Sequence, residues 1–222
     1  MNETMPPFEG FGDQAISFWS QLEANNNRTF FTAHRDVYDH HIREPLERLL
    51  AQVGPEFGEN GKVFRPHRDV RFSKDKSPYK LAGAAAIGDD SGSCAVYYVQ
   101  IGANGLFAAS GIYLMTRDQL QRFYAAIDDE ASGEELKSLV AQTRAKGAQV
   151  GGSALKTAPR GYSSDHPRVE LLRHKSLTVA REYDPGHDWI FSAAALQKVT
   201  DLWREAAPIN DWLAAHVGHP RS

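Results

Sequence analysis

The chain holds 222 residues with 25 Lys and Arg against 28 Asp and Glu, a formal net charge of −3 that argues against a dedicated nucleic-acid binder. Its hydrophobic content of 41% suits a globular protein of one large domain or two small ones, and no apolar run approaches the ~18 residues that a membrane span requires. The residues up to Gln14 lack the basic-then-apolar layout of a signal peptide, and the lone Cys94 has no partner for an internal disulfide, so a cytoplasmic location is expected.

From Asp13 to Ala24, Ile16, Trp19 and Leu22 recur at helical spacing. Asn25 to Asn27 break the run, and Asn27 is placed to cap a second helix because its side-chain oxygen can accept from the first free N–H groups. Phe30, Phe31, His34, Tyr38, Ile42, Leu46, Leu49 and Val53 then recur at three and four, with Pro45 expected to kink or restart the helix. The first quarter therefore reads as a helical hairpin over 13–53.

Residues 63–72 alternate, with Phe64, Val70 and Phe72 on one face and Arg65, His67, Asp69 and Arg71 on the other, the pattern of a strand. Ser73 to Tyr79 reads as a loop. Leu81 to Ile87 is a run of small residues that suits a strand with something packed closely on it. Asp89 to Ser93 is a turn cluster, and Cys94–Ile101 with Leu106–Leu114 forms a hairpin around Gly102 and Gly105.

Helices return at Thr116, where Thr116 and Gln119 make a capping box; Ser132 and Glu135 make another, opening a helix to about Lys146. Gly147–Gly152 reads as a loop. Asp165, His166 and Pro167 open a short helix to Arg173, with Asp165 as its cap, and His174–Arg181 alternates as a strand. Ser192 caps a helix to about Ala206, Pro208 ends it, and Ile209–Val217 is a short last helix. The sum is one α+β domain over 1–222: an antiparallel sheet, sheet-rich in the middle at 63–114, with helices at both chain ends and a mixed helical C-terminal half.

Positive charge is unevenly placed. Lys62 to Lys80 holds seven Lys or Arg and two Asp, for +5; Lys156 to Arg181 holds six and two, for +4; the remainder is −12. Such segregation points to an anionic ligand. Arg68, Arg71, Lys74, Lys76, Lys80 and, from the second stretch, Arg160 are the candidate ligand-binding residues, with Arg offering a planar fork of donors and Lys a compact charge. The competing reading is a solvated loop, with Asp69 paired to Arg71 or Arg35 and Asp75 to Lys74 or Lys76. Asp69 with His67 is a candidate acid–base pair.

The P-loop glycine-lysine spacing is absent, and no metal is expected, since His40 and His41 point to different helix faces and no Cys/His cluster is present. No cofactor is implied. Three functions remain open: binding of a small anionic, phosphorylated ligand between the two basic stretches, with turnover as an option; association with nucleic acid; or docking of an acidic partner by the charged loop.

Phe8-Glu-Gly-Phe11, Asn25-Asn-Asn-Arg-Thr-Phe-Phe31, Arg68-Asp-Val-Arg-Phe-Ser-Lys-Asp-Lys-Ser-Pro-Tyr-Lys80 and Pro159-Arg-Gly-Tyr162 resemble a widespread bacterial and fungal family known as a conserved domain of unknown function. The resemblance covers nearly the whole chain. It implies one family domain and brings no activity, cofactor or catalytic residue.

Overall fold

The structure is a computed structural model that describes residues 5–58, 60–88 and 94–221. Helices α1 (Ala15–Ala24), α2 (Arg28–Ala33) and α3 (Arg35–Tyr38) lead through a π-helical turn, Asp39–Arg43, into α4 (Glu44–Phe57). Strands β1 (Lys62–Val63), β2 (Ala82–Ile87), β3 (Val96–Gly102) and β4 (Gly105–Ile112) precede α5 (Arg117–Asp128) and α6 (Glu130–Ala145). Strand β5 (Gln149–Gly151), α7 (Val169–Leu172), β6 (Leu177–Tyr183), a 3₁₀ turn at Asp188–Phe191 and α8 (Ala194–His216) follow. The strands form one antiparallel sheet in the order β1-β2-β3-β4-β6-β5, so the α+β class is as the sequence predicts. Among the described residues no helix is long and apolar enough to cross a membrane.

The fold resolves into two compact units. The first comprises the described residues through Ile87 with Tyr98–Ala108 and Glu182–Thr200; the second holds those of Gly88–Tyr97, Ala109–Arg181 and Asp201 onward.

In the first unit, Asn27 caps α2 by accepting from the Phe30 N–H at 2.9 Å, as its position predicts. Phe18, Trp19, Phe31, Tyr38, Ile42, Leu46, Leu49 and Val53 are buried. Each such side chain contributes roughly 1.5–3 kcal/mol when fully buried. Strand β2 receives these helices on small residues: any side chain at Gly83 would overlap Ile42.

Pro45 explains the π turn. It has no N–H, so in a regular helix the carbonyl of His41 would lack its donor and meet the proline ring. The widened turn relieves this, and His41 O accepts from the Gly12 N–H at 3.0 Å instead. Gly12 must lack a side chain there, because a Cβ would overlap the His41 ring.

The alternation over 63–72 does not make a strand. Only Val63 and its predecessor pair with β2, followed by the Phe64 N–H to Ala84 O at 2.8 Å and a single bridge between His67 and Tyr79. Beyond it the backbone is served by side chains rather than by a neighbouring strand, and Phe72 lies 97% exposed instead of sharing a buried face. The turn cluster expected at Asp89–Ser93 lies outside the described residues.

In the second unit, the Thr116–Gln119 capping box is present. Three local expectations are corrected. Helix α6 opens at Glu130, not after Ser132: Asp129, three residues before Ser132, is its cap, accepting from the Ser132 N–H at 3.0 Å, while the Ser132 hydroxyl donates to Ala126 O at 2.7 Å. Gly147–Gly152 contains β5, paired with β6; three residues are too few to show alternation. Asp165 caps nothing, because α7 spans four residues from Val169 and follows a series of turns.

Pro208 sits inside α8 instead of ending it. Burial of Val199, Leu202, Trp203, Ile209, Trp212 and Leu213 along this helix outweighs the ~3 kcal/mol that an internal proline costs.

Candidate functional site

The basic loop of the first unit closes on itself. Arg68 N–H donates to Pro78 O and Lys80 N–H to Pro66 O, both at 2.8 Å, so the two ends of 68–78 are tied together. The Asn26 side chain clamps Tyr79 on both backbone sides, donating to its carbonyl at 3.0 Å and accepting from its N–H at 3.1 Å. The Tyr79 ring is buried and stacks on Phe31 at 4.1 Å, with His67 at 5.0 Å.

Inside the loop, Asp75 accepts from Arg68, from the Ser77 hydroxyl at 2.6 Å and from the Ser77 N–H at 2.9 Å. The Ser77 donors and the Arg68 guanidinium hold the Asp75 carboxyl well below the usual carboxylate range. Asp69 takes the Arg71 guanidinium in a fork at 3.0 and 2.7 Å; this pairing lowers the Asp69 pKa and raises that of Arg71. Lys76 Nζ donates to Val70 O at 3.0 Å.

Of the pairings read from sequence, Asp69 with Arg71 is present, whereas Asp75 pairs with Arg68 and not with Lys74 or Lys76. A guanidinium seven residues away reaches the carboxylate because the loop folds back. Asp69 makes no hydrogen bond to His67 among the described residues; its carboxylate is engaged by Arg71. Lys74 stays exposed and makes no hydrogen bond or ion pair among the described residues, and Lys80 lies 5.4 Å above the Phe64 ring.

A cleft of about 640 Å³ opens on the same unit and lies within the size range of small-molecule sites. Arg68, Arg71, Lys74, Lys76 and Lys80 do not line it. One set of lining residues comes from α3, the π turn and α4. There Arg35, Asp39, Arg43 and Glu47 form a charge ladder: Arg35 Nε to Asp39 at 3.2 Å, Arg43 to Asp39 at 4.0 Å and Arg43 Nε to Glu47 at 2.9 Å. Glu47 raises the Arg43 pKa.

The other set comes from the start of the basic segment, with Phe64, Arg65 and His67. Tyr38 contributes a phenol whose pKa is pushed up to about 12, chiefly by burial, so it stays protonated and able to donate. Arg65 is exposed and makes no hydrogen bond or ion pair among the described residues. The cleft thus holds three guanidiniums, two of them already matched by two carboxylates. The residues Arg35, Asp39, Arg43 and Glu47 carried a legible signal, opposite charges alternating every four residues, that reads in a sequence as a solvated helix face.

The second basic stretch lies in the second unit, and three of its six Lys and Arg side chains are tied to protein partners. Arg168, 7% exposed, donates to Ile127 O at 2.7 Å and Asp128 O at 2.9 Å and pairs with Glu134 at 3.0 Å. Arg173 pairs with Glu170, and Arg181 with Glu205. Arg160 is exposed beside Gly161, whose φ of +97° suits glycine, and makes no hydrogen bond or ion pair among the described residues. Among the described residues no group of three or more His, Cys, Asp or Glu is placed to hold a metal ion.

The profile of the conserved hypothetical protein family DUF2461 matches residues 14–212. The chain belongs to that family. The sequence motifs pointed to such a family, and the match runs through both units. The DUF2461 description carries no activity. No curated protein and no solved structure matches the chain significantly.

Proposed function

We propose that this DUF2461 protein binds a small anionic ligand in the cleft beside α4, as one cytoplasmic family domain. The observation that carries the reading is Arg65: an unmatched guanidinium on a cleft whose other two arginines already have carboxylate partners. A planar fork of donors suits a phosphate or carboxylate. The Phe64 ring offers an apolar face for the rest of a ligand, and the Tyr38 hydroxyl a donor. The π turn that Pro45 imposes also places Asp39 and Arg43 on the cleft, and such turns are frequent at functional sites. The reading is of binding; with Asp69 engaged by Arg71, we assign no acid–base pair.

A thermal-shift panel of inorganic phosphate, nucleotides, sugar phosphates and citrate at matched ionic strength tests it. A ligand at a hundred times its dissociation constant adds about 2.7 kcal/mol. That corresponds to a rise of roughly 5–11 °C for a chain of this size. Arg65→Ala should abolish the rise and Arg71→Ala should keep it. If no member of the panel exceeds the salt control, or if Arg65→Ala responds like the parent, the reading fails.

A further inference from the structure

We propose that the loop between Arg68 and Pro78 is a contact finger for single-stranded nucleic acid, with Phe72 as the stacking platform for a base. None of residues 68–78 lines the cleft, although Phe64, whose ring meets Lys80, does. Phe72 is 97% exposed, the most exposed of the large apolar side chains among the described residues. It stands in a loop that the Arg68–Asp75 and Arg71–Asp69 pairs, the Ser77 bonds and the Lys76 bond to Val70 O hold in shape. A ring presented on a braced loop loses little freedom when it binds.

The Arg71 guanidinium carbon lies 6.0 Å from the Phe72 centroid, and Phe64 carries Lys62 at 5.8 Å and Lys80 at 5.4 Å over its ring. Aromatic faces interleaved with cations are what an unpaired strand needs, because bases stack on rings while neighbouring phosphates meet ammonium and guanidinium groups. From Arg68 to Lys80 the formal charge is +3, with Lys74 unmatched, so the finger is complementary to a polyanion although the chain is acidic.

Two other partners fit less well. A protein interface needs a contiguous apolar core, and Phe72 is flanked by Arg71, Ser73 and Lys74. An anionic bilayer would meet Asp69 and Asp75 beside the one ring available for insertion, and single weak anchors give only marginal attachment.

Fluorescence anisotropy of end-labelled oligo-dT and oligo-rU with the full chain tests the proposal. Binding should weaken with salt, with a log–log slope near −0.7 for each phosphate contact, hence about −1.4 to −2.1 for two to three contacts. Phe72→Ala should weaken binding by roughly 5- to 150-fold, the worth of one stacked base, with the slope unchanged. Lys74→Ala should reduce the slope by about 0.7. Phe72→Trp should keep the affinity and report stacking as quenched tryptophan emission. Arg65→Ala should bind as the parent does, which separates this surface from the cleft.

Phe72 is exposed, so its variants should melt with the parent, and circular dichroism checks this. The proposal is overturned if the oligonucleotides do not bind at 50 mM salt, or if Phe72→Ala binds them as well as the parent. It is equally overturned if poly-glutamate competes as well as the oligonucleotide does, or if phosphatidylserine vesicles alone show the Phe72 dependence.

Discussion

Replacing Arg168 by Ala removes the side chain that terminates α5. The last carbonyls of a helix have no donors within it. Here Ile127 O and Asp128 O receive Arg168 Nε and a terminal nitrogen, with the guanidinium at the negative end of the helix dipole. Glu134, on the far side, is about half exposed, so its ion pair adds little. The buried Ile127 carbonyl is the costly loss, at about 1–3 kcal/mol when left bare. The apolar stem of Arg168 adds to this, while Asp128 O can be rewetted. A total near 3 kcal/mol lowers Tm by roughly 6–12 °C in a chain of this length.

Differential scanning calorimetry on the full chain is the assay, with Arg160→Ala as the exposed control, expected within about 2 °C of the parent. Arg168→Lys should recover less than half of the loss, since one ammonium cannot serve carbonyls and carboxylate together. If Arg168→Ala melts within 2 °C of the parent, the second basic stretch is not structural, and a ligand there becomes the better account of its charge.

Asn26→Ala should cost about 2–4 kcal/mol in urea unfolding, because both Tyr79 backbone groups lose their partner in a half-buried place; a loss under about 0.5 kcal/mol would mean that Phe31 stacking alone fixes Tyr79. Burial, aided by Arg144, lowers the His174 pKa, and its Nδ1 has no hydrogen-bond partner among the described residues. The unfolded chain therefore takes up this proton near pH 6.5 while the folded chain resists, so stability is full above about pH 6.5 and falls as the pH drops below it. His174→Gln should flatten the urea midpoint between pH 7.5 and 5.5, a range above that in which Asp75 and Glu134 titrate; an unchanged pH slope would refute the assignment.

Local signals were legible where one residue suffices to set the geometry. Asn27 and Thr116 announce their helices because a cap satisfies a donor two or three residues away, and Gly83 announces a close approach because nothing larger fits. Pro45 announced a break but not its form, since the donor that satisfies His41 O is Gly12, far back in the chain.

Charge counted along the chain misleads for the same reason. Counting along the chain assigns Arg168 and Arg181 to a basic stretch, whereas in space their carboxylates are Glu134 and Glu205. The alternation over 63–72 is genuine as a pattern, but Pro66 interrupts the donors and the side chains of Asp69, Asp75 and Lys76 serve the backbone locally, so no strand forms. The cleft is not legible in the sequence because about half of its lining is a helix face whose alternating charges look self-sufficient.

The paired ends of the basic loop have a practical meaning. With Arg68 and Lys80 tied across to Pro78 and Pro66, and Tyr79 gripped by Asn26, the stem carries the fold's interest in this region. What lies beyond it is an exchangeable cassette. Each doubling of loop length adds only about 0.6 kcal/mol of closure entropy. Residues 69–77 can therefore be lengthened or replaced by a foreign epitope or fluorescent tag while the remainder of the chain keeps its structure.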